Sequence, residues 1–344
     1  MRSVEWVAGR PSPRSNLTCV PTTDDVTTDP HVVVRRAGIG GLGFALLSAS
    51  SFGLSGVLGK GLLETGWTAG AAVLLRVTVA ALVLVIPTVM RLRGNWGALR
   101  RHAWLLVAFG LVPVAGTQFC FFQAVARLPV GIALLLEYTA PLVIIGWLWV
   151  RHGHRPSRLT VIGAAVALAG LLLVLDIVSG QAVDLVGAIW ALVGMIGAAT
   201  YFVLGAHDAD GLPPIALAGG GMVVGAVGLA VGGVVGLIPM TFRSASVALG
   251  GRMVPWWVDV LALGVLTAAI AYASGIAASR RLGSRLASFV ALTEVLFALV
   301  FAWLLLGELP RPVQLLGGLV LIAGVIVVKL GEGQAADVSP ETLP

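Results

Sequence analysis

From Gly38 onward the chain is a succession of apolar stretches broken by short polar or arginine-bearing connections. Ten of these stretches come close to the roughly 20 residues that carry a helix across a hydrocarbon core about 30 Å thick. They are Ile39–Gly59, Ala69–Met90, Ala103–Gln123, Val130–Val150, Leu159–Leu175, Leu185–Ala206, Ile215–Met240, Trp256–Ala278, Leu286–Leu306 and Val313–Val328. Apolar character runs all round each stretch, and non-helical backbone cannot face lipid, so each is predicted to be a helix. Connections this short make successive helices antiparallel. The expected fold class is an all-α membrane protein of ten transmembrane helices.

The basic residues sort the connections into two sets. Arg35, Arg36, Arg91, Arg93, Arg100, Arg101, Arg151, Arg155, Arg158, Arg280, Arg281, Arg285 and Lys329 fall on one side of the bilayer, against Lys60, Arg127, Arg243, Arg252 and Arg311 on the other. Cytoplasmic connections retain positive charge, which places both termini in the cytoplasm of a cell whose inner (plasma) membrane holds the protein. Trp67, Trp104, Trp147, Trp149, Trp256 and Trp257 sit near predicted helix ends, where indole rings favour the interface.

Composition narrows the function classes. Of 344 residues 58% are hydrophobic and 11% charged, against about 25% charged in a soluble domain. The 45 glycines, many inside apolar runs, suit closely packed membrane helices. The net charge of +6 is dispersed between apolar blocks, so nucleic acid is not an expected partner. Cys19 and Cys120 make neither a disulfide framework nor a thiolate metal site. His31, His102, His152, His154 and His207 all lie at helix ends or in tails, and no phosphate-binding Gly-x-x-x-x-Gly-Lys loop is present. No metal, no cofactor and no ATPase activity are expected.

Residues 1–37 mix Pro, Ser, Thr, Asp and Arg without apolar periodicity, and Asp24, Asp25 and Asp29 stand where a signal peptide needs its apolar region. They are predicted to be a disordered cytoplasmic tail, as are residues 331–344. A valine start codon at Val32, Val33 or Val34 would leave residues 1–31 untranslated, an alternative that the sequence leaves open.

Shifting the chain by 154 residues brings two stretches into register. Arg127-Leu128 falls on Arg281-Leu282, Ala133 on Ala287 and Thr139 on Thr293, and Gly153, Pro156, Gly163 and Gly170 fall on Gly307, Pro310, Gly317 and Gly324. Units 38–178 and 179–330 then hold five helices each, and an odd number makes the second enter the membrane from the opposite side. Inverted repeats are the signature of alternating-access carriers, with the pathway between the halves.

The run Ala133-Leu-Leu-Leu-Glu137-Tyr-Thr-Ala-Pro141-Leu resembles the EamA-type branch of the drug/metabolite transporter superfamily. So does Leu292-Thr-Glu294 through Leu-Gly-Glu308 with Gln314-Leu-Leu-Gly317. The resemblance spans Gly38 to Leu330 and implies a ten-helix carrier of small metabolites, often an exporter of amino acids or related solutes, with both ends cytoplasmic. Gly153-His154 stands where many members have Gly-Glu, and Val295 where a proline is usual.

Ionisable side chains inside a bilayer are costly unless paired or hydrated, which makes Arg76, Glu137 and Glu294 functional candidates. Arg76 and Glu137 each lie seven residues into helices that start from the same face, so both sit about 10 Å deep and can pair. Such a pair is either a clamp between helices or an anion site with its counter-ion. Gln118 reaches a comparable level, and the repeat shift maps it onto Tyr272, near the depth of Thr200 and Tyr201. Glu294 has no charged partner in view. It is the candidate for proton coupling, with a neutral, hydrogen-bonded acid as the competing reading.

The expected substrate pathway is thus Arg76, Gln118, Glu137, Tyr201, Tyr272 and Glu294, with a kink at Pro141. Gly221, Gly225, Gly228, Gly232 and Gly236 form small-residue patterns for packing within the chain or for a homodimer seam. Expected partners are a small-molecule substrate, the lipid bilayer and protons. A membrane enzyme and an ungated channel are the rival classes; the first lacks adjacent catalytic groups and the second a pore-lining ring of charge.

Overall fold

A computed structural model describes residues 30–139, 157–174, 184–207, 209, 211–308 and 311–337. The first half contains α1 (Pro30–Glu64), α2 (Ala69–Leu92), α3 (Gly97–Arg101), α4 (Ala103–Phe109), a π-helical turn π1 (Gly110–Gly116), α5 (Thr117–Val125), α6 (Val130–Glu137) and α7 (Arg158–Val174). The second contains α8 (Leu185–Ala206), α9 (Pro214–Val234), a hairpin β1 (Val247–Leu249) and β2 (Arg252–Val254), α10 (Trp256–Gly264), π2 (Val265–Ile270), α11 (Ala271–Ala291), α12 (Thr293–Leu306) and α13 (Pro312–Asp337).

Among the described residues six helical segments are long and apolar enough to cross a bilayer, and Arg158–Gly170, Thr293–Leu306 and Leu315–Gly324 are shorter apolar helices. The ten expected spans are therefore matched only in part. Most of Val130–Val150, together with Pro141 and residues 1–29, lies outside the described residues.

Four boundaries depart from expectation. Helix α1 begins at Pro30, a residue suited to a first helical turn, so residues 30–37 belong to the helix and not to the tail. Helix α13 runs on to Asp337 through Gln334, Ala335 and Ala336, all good helix formers, in place of a tail from residue 331. Helix α11 passes Arg280, Arg281 and Arg285 without a loop. Arg280 Nη1 donates to Leu212 O at 2.6 Å, and the Arg281 guanidinium lies 4.5 Å from the centre of the Phe44 ring, so the basic run is held against its neighbours.

Helix α9 stops at Val234, short of Met240, because Gly232, Gly233 and a left-handed Gly236 at φ +75° remove its hold. The chain then turns into the hairpin, closed by Gly250 and Gly251 at φ +57° and +73°, which is the type I′ geometry of a two-residue turn.

Packing follows the repeat. Helix α2 lies on α9 and α7 on α13, each on its own counterpart, while α1 against α11 mirrors α5 against α8. At the α7–α13 crossing a Cβ on Gly170 would stand 2.3 Å from Leu321 N, and one on the shift-related Gly324 would stand 2.3 Å from Ala167 N. Only glycine allows backbones so close. The glycines of α9 serve the same end. Gly221 faces Phe109, Gly225 faces Val114 and Gly228 faces Leu111, so packing within the chain occupies them. Outward faces expose Leu82, Ile86, Ile189, Val227 and Leu319, as side chains bathed in lipid do.

The two ends of the bundle are distinct. Asn95 Nδ2 donates to Gly211 O at 3.0 Å, which with the Arg280 bond to Leu212 gathers Asn95, Gly211 and Arg280 at one end. At the other, Trp67 Nε1 donates to Arg243 O at 2.7 Å, and Lys60 pairs with Glu308.

Candidate functional site

Between the halves lies a cavity of about 310 Å³. Ala45, Ser48, Phe52 and Ser55 form one stripe of α1 along its wall, joined by Gln118 and Phe121 of α5, Glu137 of α6 and the adjoining Tyr138. The second half contributes Tyr201 and Phe202 of α8, Tyr272 of α11 and Glu294 of α12. Five of the six residues expected on the pathway thus share one space.

Arg76 is the sixth, and it lies behind the wall. Its side chain is 0% exposed, with Nη1 donating to Gln118 Oε1 and Nη2 to Thr267 O at 2.5 Å, and with the Phe122 ring centre 5.6 Å from its guanidinium carbon. The pairing with Glu137 expected from equal depth is not formed; between described residues the ion pair present is Lys60–Glu308. The reason is lateral. Helix α2 packs mainly against α9, α10 and π2, whereas α6 packs mainly against α8 and α12, and the two share α1 and α5 as neighbours without touching each other closely.

From Arg76 a relay of hydrogen bonds crosses the seam. Gln118 Nε2 donates to Tyr272 Oη at 2.8 Å, and Tyr272 Oη donates to Pro113 O at 2.9 Å. Gln118 and Tyr272 are 154 residues apart, as are Pro113 and Thr267, so the relay joins residues related by the repeat. Both carbonyls lie in π turns. Pro113 has no N–H to offer Phe109 O, and at the matching place the Thr267 hydroxyl bonds Leu263 O at 2.8 Å. The same carbonyl position of each helix thus has altered hydrogen bonding, through a missing N–H in one and an added hydroxyl in the other.

Glu294 is 9% exposed and accepts a hydrogen bond at Oε2 from Tyr138 Oη at 2.6 Å. This partner is neutral, and it was not foreseen. Ser48, Phe52 and Ser55 were also missed, although Ser48 and Ser55 are seven residues apart and share one helix face, a readable signal. Thr200 Oγ1 bonds Ile196 O in its own helix at 2.9 Å.

A helical bundle of two repeats, with a mixed polar and aromatic cavity at their junction, is the build of a membrane solute carrier. The chain belongs to the EamA-like transporter family, whose profile matches residues 39–176 and 185–330, one match to each half. It is a membrane transporter of small solutes, and the family is one of transporters and not enzymes. A solved crystal structure described only as that of a protein is similar in fold, with a TM-score of 0.58 at 19% identity over 88% of this chain and 99% of the other. No curated protein matches the sequence.

Proposed function

We propose that the protein is a secondary carrier of the inner membrane that exports a small solute bearing a protonated amine, such as an amino acid or a related amine, by alternating access between its halves. The chemistry of the cavity wall carries this reading. Glu137 and Glu294 supply carboxyl groups, and Phe52, Phe121, Phe202 and Tyr201 supply ring faces, the pair of features that holds an ammonium group with an apolar body. Among the described residues no guanidinium lines the cavity, and Arg76 serves as a positioning residue for Gln118.

The lining stops at Ser55 towards Lys60 but extends to Ala45, Ser279 and Ala287 towards Arg280. With the arginine-rich end in the cytoplasm, this supports an inward-facing form. Glu294 is the coupling group in this reading. As a neutral acid it crosses between inward and outward forms cheaply, whereas its charged form waits for water or a cationic substrate.

Purified protein in liposomes, screened with amines and amino acids with and without a pH gradient, tests the proposal. Uphill movement of an amine-bearing solute is expected, and Glu294→Gln keeps exchange between loaded vesicles while losing uphill transport. Uphill transport at normal rates in that variant reduces Glu294 to a structural hydrogen bond with Tyr138. Transport indifferent to every ion gradient makes the protein a facilitator, and chemical conversion of a bound compound makes it an enzyme.

A further inference from the structure

At the end of the bundle away from Arg280, two separate devices tie α1 to the end of α12, which belong to opposite repeats. The first is ionic. Lys60 Nζ, at the last turn of α1, pairs with Glu308 Oε1, and Glu308 Oε2 accepts from Val130 N at 3.2 Å, at the first turn of α6. Gly307 adopts φ +71° and closes α12, with Gly307 N bonded to Trp303 O at 3.1 Å and Glu308 N to Ala302 O at 3.2 Å. This cap aims Glu308 across the mouth. The side chains of Lys60 and Glu308 are only 18% and 21% exposed, so the pair is not a free surface contact.

The second device is the hairpin. Val247 is fully buried, with its Cγ1 within 2.5 Å of where a Cβ on Gly61 would stand, and Gly250 N donates to Leu305 O at 2.9 Å. Beneath both, Gly56 packs against Val130 and Gly131 against Leu299, closing the space above Ser55.

We propose that Lys60, Glu308 and the Val247–Val254 hairpin form a latch that holds this mouth of the transport pathway shut and must release for the opposite mouth to close. The inference rests on the carrier reading above. The repeat shift carries Glu308 onto His154, so the sequence does not duplicate this carboxylate at the corresponding place. A charged clasp at this end biases the resting molecule towards the form closed at Lys60.

Accessibility from each face of the membrane tests this without need of a substrate. Ser55→Cys is placed in a chain lacking Cys19 and Cys120, because the Ser55 hydroxyl lines the cavity and has no hydrogen-bond partner to lose. An impermeant thiol reagent is added to either face, with Arg243→Cys and Arg101→Cys as markers of the two ends. The parent is expected to label from the Arg101 face at least about tenfold faster than from the Arg243 face. Glu308→Gln and Lys60→Met should each raise labelling from the Arg243 face several-fold, while Lys60→Arg retains the parent's asymmetry. Val247→Ser carries the same test through the hairpin should Glu308→Gln fail to fold.

Equal labelling of the parent from both faces overturns the latch, as does unchanged labelling in Lys60→Met and Val247→Ser. A separate outcome, asymmetric and mutation-sensitive labelling in a protein that moves no solute, keeps the latch and sinks the carrier reading.

Discussion

Arg76 and Gln118 should be energetically coupled, and more strongly than Arg76 and Glu137. In Gln118→Leu, the guanidinium keeps its bond to Thr267 O but loses the one to Gln118 Oε1, leaving a buried charged group short of one hydrogen bond at a cost of about 1.5 to 3 kcal/mol. Tyr272 still donates to Pro113 O and contributes little to that loss. Arg76→Met keeps much of the side-chain volume and leaves two neutral acceptors, Gln118 Oε1 and Thr267 O, unpaired at about 1 to 3 kcal/mol each, offset by no longer burying a cation. In the double variant the under-bonded charge and one orphaned acceptor both vanish. It should therefore be more stable than the sum of the single losses by about 2 kcal/mol or more. Equilibrium unfolding in detergent, followed by tryptophan fluorescence, gives the three values. Additivity within about 0.5 kcal/mol would refute the relay. So would a larger coupling in the matching cycle with Glu137→Gln, which is expected to be the smaller of the two because those side chains form no direct ion pair.

Reporters fused after Lys329 and within the Arg91–Arg101 connection should read cytoplasmic, and one between Asp176 and Asp184 external; an external C-terminus would overturn the orientation used above. A Cβ on Gly275 would stand 2.2 Å from Tyr201 Oη and 2.6 Å from Ser48 Oγ, so Gly275→Ala should abolish transport in a folded protein. Adding Tyr201→Phe and Ser48→Ala should restore it, and no recovery in folded protein would mean that the clash is not the cause. Gly170→Leu should lower the thermal midpoint far more than Gly94→Leu, since a side chain at 94 meets open space despite its strained φ of +84°; similar losses would show that the α7–α13 crossing is not tight.

The sequence made the repeat and the level of each polar group readable, and little of their azimuth. Gln118 and Tyr272 were matched by the shift alone, and they meet. Depth counted along a helix says how far a side chain lies from the interface but not which neighbour it faces. Equal depth therefore suggested Glu137 as the partner of Arg76, when Gln118 and a π-turn carbonyl hold it. The hairpin had a visible signal in Gly250-Gly251, which apolar-run counting ignores because it registers hydropathy and not turn chemistry. The tyrosine on Glu294 had none, as Tyr138 and Glu294 lie in different halves.

The π turns set a rule for the chain's own insertions and deletions. A π turn holds about one residue more than an α turn, so it rotates the phase of everything beyond it by about 100°. Because π1 and π2 sit at matching places, Gln118 and Tyr272 carry the same slip and keep facing each other. Deleting one residue from π1 alone turns Gln118 away from Tyr272. Deleting one from each turns both together and preserves their relation to the pseudo-symmetry axis while changing what they present to the cavity. Length changes in these two helices are therefore coupled across the duplication, and a single-residue gap in one calls for its twin in the other.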